Sequence, residues 1–216
     1  MGSRTSREER PSRELRVKKK FSQVYQFMIA LEAIWPPIWR RIQVPATYTF
    51  WDLHVAIADA MGWQDYHLHE FEMADPNTGD KVIIGIPDEE FLDDERVVLP
   101  DDRQRIARYF TPDNNRARYI YDFGDGWQHR IELEKIVPRE ENVKYPSCLA
   151  GKRACPPEDC GGFGGYGRLL EALADPDDEE HEDLLIWAGA EFDPEVFDPA
   201  AIVFVDPVVR RRLAFG

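Results

Sequence analysis

The sequence predicts an α+β protein with a mostly antiparallel sheet, an early helix packed on one face of that sheet, and a helical, acidic C-terminal region. Three observations support this class. Strand patterns of period two dominate the first part of the chain, one long helical pattern interrupts them early, and helical patterns return near the end. Strands and helices that occur in separate blocks, instead of alternating, are typical of α+β domains.

The first two strands are expected to form a hairpin. Large apolar residues occupy every second position of 24–31, namely Tyr25, Phe27, Ile29 and Leu31, which is the period of a strand. A second strand is predicted over 38–44. Pro36-Pro37 separates the two, and because proline cannot continue a strand ladder, we expect the chain to turn there.

The early helix has clear start and stop signals. Thr49 is a suitable N-cap for a helix that runs to about Met61, and Gly62 is a suitable residue to end it. Short strands are predicted after it at 67–73 and 81–86. Residues 87–102 are rich in Asp and Glu and are predicted to be an acidic loop.

A second hairpin is predicted from strands at 116–123 and 127–137, because the connector Gly124-Asp125-Gly126 tolerates the positive φ angles of tight turns. Residues 139–216 differ in character. They begin as a loop rich in Pro and Gly and continue into predicted helices at 168–173 and 180–187.

Charge divides the chain into two parts. The net charge is −14, yet residues 1–20 hold eight basic and three acidic groups, which leaves −19 for the remainder. We expect 1–20 to be a disordered basic arm and 21–216 to be one α+β domain. An acidic body repels phosphate backbones, so contact with nucleic acid is expected only through the arm.

Compartment and cysteine chemistry follow from composition. No apolar run approaches the ~20 residues of a membrane helix, and no apolar segment follows the basic arm, so neither membrane insertion nor secretion is expected. The three cysteines, Cys148, Cys155 and Cys160, suit a reducing cytoplasm. Because their spacing lacks a C-x2-C pair, we expect buried, inert thiols in preference to a zinc site.

Five motifs occur in a distinctive order. They are PPIWRRI at 36–42, MGW at 61–63 running into YHLHEF at 66–71, YDFGDGW at 121–127 with His129, CLAG at 148–151, and PPEDCGG at 156–162. Their order and spacing resemble the plasmid pRiA4b Orf-3-like family over about residues 21–198. The resemblance implies an α+β fold and bacterial plasmid or mobile-element contexts. It implies no particular activity.

Some relatives in that family are labelled resolvase-like. A serine recombinase needs a nucleophilic serine beside catalytic arginines. The serines of this chain are Ser3, Ser6, Ser12, Ser22 and Ser147. Four of the five lie in or next to the basic arm, so recombinase catalysis is not expected.

Unusual polar residues concentrate in three segments, namely the 121–129 hairpin, the 67–71 strand and the 156–167 loop. We expect these segments to form a binding groove. Its candidate residues are Arg40, His67, His69, Asp122, Asp125, Trp127, His129, Glu158 and Asp159. The favoured function is a non-enzymatic binding module for an unknown protein or small ligand.

A metal-dependent hydrolase or nuclease is the alternative. His67 and His69 form an H-x-H pattern, which places both imidazoles on one face of a strand, and Asp122, Asp125 and His129 can complete such a site. His129 equally suits the core. No cofactor is predicted and no metal is favoured; the weak metal candidates are His67, His69, His129, Cys148, Cys155 and Cys160. A DNA-associated accessory role through residues 1–20 is the third possibility.

Two further patterns have simpler explanations. Residues 162–167 match G-x-G-x-x-G, but no strand precedes them, so we expect a tight turn that begins a helix and no dinucleotide site. Arg40 and Arg41 can recognise a carboxylate or phosphate. At this net charge, we expect them to form ion pairs with the acidic loops.

Overall fold

The computed structural model describes residues 21–87, 97–189 and 191–215. The basic arm predicted at 1–20 and most of the acidic loop predicted at 87–102 therefore lie outside the described residues. The prediction of disorder for the arm stays a prediction.

One eight-stranded sheet forms the body of the protein. Its strands are β1 (Gln23–Leu31), β2 (Trp39–Pro45), β3 (His69–Ala74), β4 (Lys81–Gly85), β5 (Val98–Pro100), β6 (Arg116–Tyr121), β7 (Trp127–Pro138) and β8 (Ser147–Lys152). The spatial order is β5-β4-β3-β6-β7-β1-β2-β8. Every neighbouring pair is antiparallel except β4 and β5, so the predicted α+β class with a mostly antiparallel sheet is confirmed.

Five α-helices and a short 3-10 helix accompany the sheet. They are α1 (Phe50–Met61), α2 (Ile106–Tyr109), α3 (Gly162–Ala174), α4 (His181–Ala188), the 3-10 helix Pro199–Ala201, and α5 (Pro207–Phe215). None of the helices in the described ranges has the length and apolar character needed to cross a bilayer.

Helix α1 begins and ends where the sequence predicts. The Thr49 hydroxyl accepts a hydrogen bond from the Asp52 N–H at 3.2 Å, and the Asp52 carboxylate accepts one from the Thr49 N–H at 2.9 Å. Gly62 ends the helix in the left-handed conformation, with φ of 91°. The apolar side of α1 packs into the core above the sheet, where the ring centroids of Phe50 and Phe71 lie 5.0 Å apart.

The second hairpin forms as predicted, with a different distribution of backbone angles. Tyr121 pairs with Trp127, and the connection covers 122–126. Positive φ angles occur at Asp122 (55°) and Gly126 (69°), while Gly124 and Asp125 keep ordinary values. Asp122 adopts this conformation because its own carboxylate bonds the following backbone, as described below.

Several elements differ from their predicted limits. The strand predicted from residue 67 begins at His69, and α3 begins at Gly162, inside the glycine-rich stretch and not at 168. Strand β5 lies within the segment predicted to be a loop, and β8 lies within the segment predicted to be a Pro/Gly-rich loop. Edge pairing with β2 explains β8, since Arg40 pairs with Gly151 there.

The acidic C-terminal region is helical, as predicted. Residues 171–198 contain twelve acidic residues and no Lys or Arg, so their nearest cation in sequence is Arg168. The guanidinium of Arg168, which lies on α3, donates hydrogen bonds to Asp178 at 2.7 Å and to Glu180 at 2.8 Å, just before α4. One arginine thus holds the acidic turn between α3 and α4 in place.

Candidate functional site

Two of the predicted groove segments meet because β3 and β6 are neighbours. His69 pairs with Tyr121, so the residue before β3 and the residue after β6 lie side by side. The Asp122 N–H donates to the Leu68 carbonyl at 3.0 Å and extends this pairing by one step. His67 and Asp122 are therefore adjacent in space.

The third segment is held against the other two by Trp63. The Trp63 indole N–H donates to the Pro156 carbonyl at 3.0 Å, and its ring stacks on Tyr121 with centroids 4.7 Å apart. The Tyr121 hydroxyl donates to Glu158, whose other oxygen accepts from the Gln64 N–H at 2.9 Å. Burial raises the pKa of Tyr121, which keeps this hydroxyl protonated as a donor. Glu158 is thereby fixed, and Asp159 follows it.

His67, Asp122 and Asp159 form what we call the cation cluster. His67 Nε2 lies 3.1 Å from Asp159 Oδ1 and 3.6 Å from Asp122 Oδ2, and one donor atom from each side chain falls within 4.8 Å of the others. Within residues 21–87, 97–189 and 191–215, no other three His, Cys, Asp or Glu side chains meet this closely.

Asp122 serves both the turn and the cluster. Its Oδ1 accepts hydrogen bonds from the Gly124 N–H at 2.9 Å and the Asp125 N–H at 3.3 Å. Its Oδ2 is the oxygen that faces His67. The carboxylate is therefore oriented by its own loop before any ligand arrives, which lowers the cost of binding one.

The cluster opens to solvent on one side. The exposed fractions of the side chains are 28% for His67, 10% for Asp122 and 68% for Asp159. A cavity of about 340 Å³ adjoins it and is lined by Gly62, Gln64, Tyr66, Pro157, Glu158, Asp159 and Trp187. A ligand bound in this cavity would therefore contact both carboxylates and aromatic rings.

One imidazole nitrogen and two carboxylates are suitable ligands for a divalent cation such as Zn²⁺ or Mn²⁺. An ion at the cluster would bind through His67 Nε2 and one oxygen of each carboxylate.

His67 and His69, the H-x-H pair, do not contribute to the same site. Because β3 begins at His69, strand alternation does not extend to His67, and the two rings have different partners. His69 is buried, and its Nε2 lies 3.0 Å from Asp101 Oδ2. His69 is therefore not part of the cation cluster, and the predicted H-x-H clamp does not form.

His129 and Trp127 lie in the core. The His129 ring packs 5.2 Å from both Trp63 and Tyr119, and burial lowers its pKa to about 3, so it is neutral. Trp127 is buried with its ring 5.3 Å from Phe163. Asp125 lies in the 122–126 loop but outside the cation cluster, and its carbonyl lies close to Gly162 at the start of α3.

Arg40 is part of the fold and lies away from the groove. It is 1% exposed, and its guanidinium donates to the Ala60, Trp39 and Lys152 carbonyls at 2.8, 2.9 and 3.1 Å. The ring of Phe197 lies 3.7 Å from it. Arg41 points to the other side of β2 and pairs with Glu134 of β7 at 2.7 Å. The predicted ion pairs with acidic loops are wrong for both residues.

The three cysteines are free thiols and belong to no ligand group in the described ranges. Burial raises the pKa of Cys155 and of Cys160 to about 12, and it also raises the pKa of Cys148. The thiols are therefore protonated at neutral pH, and the expectation that they are inert stays a prediction.

A second polar constellation was not predicted from the sequence. His54 lies on the buried side of α1 and bonds the Tyr119 hydroxyl at 2.8 Å and Asp65 at 2.7 Å. The only sequence signal for it is a histidine between the apolar positions of an amphipathic helix, and many solvent-facing histidines give the same signal.

Comparisons with known proteins agree with this fold. The sequence profile of the plasmid pRiA4b ORF-3-like protein family matches residues 23–201. Uncharacterized protein y4hQ of Sinorhizobium fredii is 38% identical over 170 residues, which cover 77% of this chain and 81% of that protein.

A solved structure is also similar. The crystal structure of MM3350, a protein of unknown function from Methanosarcina mazei Go1, is 49% identical and superposes with a TM-score of 0.80. The match covers 86% of this chain and all of MM3350. The chain belongs to the plasmid pRiA4b ORF-3-like protein family.

Proposed function

We propose that the protein is a binding module that takes up a divalent cation at the cation cluster and uses it to hold a polar ligand in the adjoining cavity. The observation that carries this proposal is the convergence of the donor atoms of His67, Asp122 and Asp159 within 4.8 Å at an open surface. Three protein ligands leave coordination positions free for a ligand's oxygen or nitrogen atoms.

The anchoring of the three loops supports a specific site. Trp63 and Tyr121 bind the 156–161 segment through hydrogen bonds to Pro156 and Glu158. Supporting hydrogen bonds of this kind orient metal ligands, and their loss commonly weakens metal binding about 10- to 100-fold. Asp159 depends on them because it directly follows Glu158.

The surroundings favour binding over hydrolysis. A metal hydrolase needs a general base within reach of the bound water. Both Glu158 oxygens already accept hydrogen bonds, and His69 and His129 are buried. Glu158 is therefore held by two other hydrogen bonds and both histidines are closed to solvent, which supports binding over hydrolysis.

Calorimetric titration with Zn²⁺ and with Mn²⁺, together with elemental analysis, tests the cation site. Wild-type protein is expected to bind one ion per chain, and His67→Ala, Asp122→Asn and Asp159→Asn are expected to weaken that binding at least about tenfold. Asp122→Asn is chosen because an asparagine oxygen still supports the turn. The matched control is Asp177→Asn, which removes an exposed carboxylate elsewhere. Binding that is absent, or unchanged in all three variants, would refute the proposal.

The hydrolase alternative retains one specific point in its favour, namely the open coordination positions. A screen of the metal-loaded protein against phosphate and carboxylic esters separates the two. Turnover that disappears in His67→Ala but persists in Asp177→Asn would replace the binding module with an enzyme. Two further hypotheses stay proposals. One is a DNA-accessory role through residues 1–20, and the other is a plasmid or mobile-element context.

A further inference from the structure

Helix α5 contacts the rest of the protein through two arginines and through the Pro207 carbonyl, which accepts a hydrogen bond from the Trp51 indole N–H at 2.9 Å. Arg210 lies 2.6 Å from Asp59 Oδ1 and 3.7 Å from Asp65 Oδ2, and it donates to the Gln64 carbonyl at 2.9 Å. Arg211 lies 3.7 Å from Asp101 and 3.1 Å from Asp102. We call these four aspartates the acidic pocket.

The acidic pocket is unusual because most of its carboxylates are buried. The exposed fractions of the side chains are 4% for Asp59, 5% for Asp65 and 2% for Asp101. Within the described ranges, every ion pair that these carboxylates make with Lys or Arg comes from α5. The other side-chain partners are His54 for Asp65 and His69 for Asp101, and both rings are neutral because burial lowers their pKa values.

Apolar burial contributes little to holding α5. Among its described residues none is buried, and Val209, Leu213 and Phe215 are largely exposed. The guanidinium of Arg211 instead lies 5.3 Å from the ring of Trp51, an aromatic wall beside the pocket. The helix is therefore held by its two arginines, the Trp51 ring and the hydrogen bond to Pro207, and Val205 just before it donates its N–H to Asp59 at 2.8 Å.

Removing α5 would leave the four carboxylates of the acidic pocket without a cation and would expose them to solvent. Carboxylates that share one site repel one another, so an emptied pocket favours the uptake of protons or of another cation. A guanidinium is the best replacement because its planar array of donors matches carboxylate geometry and it stacks on an aromatic ring.

We propose that the acidic pocket is a recognition site for a helical segment with two consecutive arginines in another protein chain, and that α5 fills this site within its own chain as a removable cover. This proposal concerns a site separate from the cation cluster. Gln64 lies between the two, since its carbonyl accepts from Arg210 and its N–H donates to Glu158.

A full-length variant with Arg210→Ala and Arg211→Ala tests the proposal, because it removes the cover's anchors and leaves the pocket intact. The probe is a fluorescein-labelled peptide with the sequence of residues 203–215, followed by fluorescence anisotropy. The variant is expected to bind the peptide at least about tenfold more tightly than wild type, whose own α5 competes. Added salt is expected to weaken this binding.

Arg212 supplies the matched control. It is exposed on the same helix, so full-length Arg212→Ala should bind the peptide as weakly as wild type, and a peptide with Arg212→Ala should bind as well as the original. A peptide that lacks Arg210 and Arg211 should fail to bind. A folded double variant that does not bind the original peptide would overturn the proposal.

Hydrogen exchange on the wild-type protein gives a second reading that does not depend on how the variant folds. If α5 is a removable cover, its amides exchange much faster than those of α1, through local opening. If the amides of α5 are protected as strongly as those of α1, the helix leaves only on global unfolding and the proposal fails.

Discussion

The imidazole rings of His54 and His69 stack face to face in the interior, with centroids 3.4 Å apart and planes 6° from parallel. His54 Nε2 lies 2.7 Å from Asp65, and His69 Nε2 lies 3.0 Å from Asp101. Burial lowers the pKa of His54 to about 3 and that of His69 to about 4. Both rings are therefore neutral at pH 7, and this allows them to lie in contact.

The neutral histidines predict acid sensitivity. His54, His69 and His129 take up protons below pH 6.5 when unfolded but not when folded, so each loses folding free energy as the pH falls below 6.5. Burial raises the pKa of Asp65 to about 6, which opposes this trend by one proton between about pH 4 and 6. The net uptake of about two protons on unfolding corresponds to about 3 kcal/mol lost per pH unit near pH 5.5.

Urea unfolding at a series of pH values from about 7.5 to about 5 measures this slope. Histidine in the unfolded chain titrates within this range. His129→Phe is the informative variant, because it should reduce the slope by about one proton, or about 1.4 kcal/mol per pH unit. A stability that does not change across this range would contradict the neutral assignment of the three rings.

Two glycines of the same helix should respond oppositely to substitution. A Cβ at Gly165 would collide with the Cys160 carbonyl, whereas a Cβ at Gly164 meets nothing within 4 Å. We expect Gly165→Ala to cost at least about 2 kcal/mol through a forced backbone shift. Gly164→Ala should be neutral or stabilising by up to about 1 kcal/mol, because alanine favours the helix. Thermal unfolding compares the two, and equal melting temperatures would contradict the close approach of the Cys160 carbonyl to α3.

Tyr121→Phe separates anchoring of the site from stability of the fold. The substitution keeps the ring that stacks on Trp63 but removes the hydroxyl that donates to Glu158. We expect cation affinity to fall about tenfold. The free energy of unfolding should fall by only about 1–2 kcal/mol. Calorimetric titration and urea unfolding give the two quantities. Tyr145→Phe, which alters a tyrosine near Glu140, serves as the control. An unchanged cation affinity in Tyr121→Phe would show that the hydrogen bond to Glu158 does not support the cation cluster.

Arg40 and Arg41 provide a matched pair on one strand. Arg40→Lys should cost about 2–4 kcal/mol, because one ammonium cannot reach all three carbonyls that the buried guanidinium bonds. Arg41→Lys should cost less than about 1 kcal/mol, because its partner Glu134 is partly exposed. Urea unfolding of both variants decides this, and similar losses would show that the buried carbonyl contacts add little.

The sequence predicts the elements that have a regular apolar spacing or clear capping residues. Period-two alternation identifies β1 and β7, and the Thr49 and Gly62 caps identify α1. Strand β8 has no comparable signal. Its small residues pair with β2 at the sheet edge, and tertiary pairing, which local sequence does not encode, determines its place.

The residues of the candidate site could be predicted from the sequence, but their arrangement in space could not. His67, Asp122 and Asp159 all occur in motifs that the sequence singles out. Which of the nine candidates converge depends on the register between β3 and β6 and on the bond from Trp63 to Pro156, and neither is visible in a single sequence. The same limit applies to His54, whose partner Tyr119 is 65 positions away.

The position of β1 has a consequence for synthesis on the ribosome. Ala30 pairs with Trp39 on one side and with Arg130 on the other, so β1 acquires its second neighbour only after β7 has emerged. At about 5–20 residues per second, that delay lasts several seconds at least. Throughout it, the nascent β1–β2 hairpin presents an unpaired backbone edge, and we expect this to be the interval in which the polypeptide is most exposed to aggregation and most dependent on chaperones.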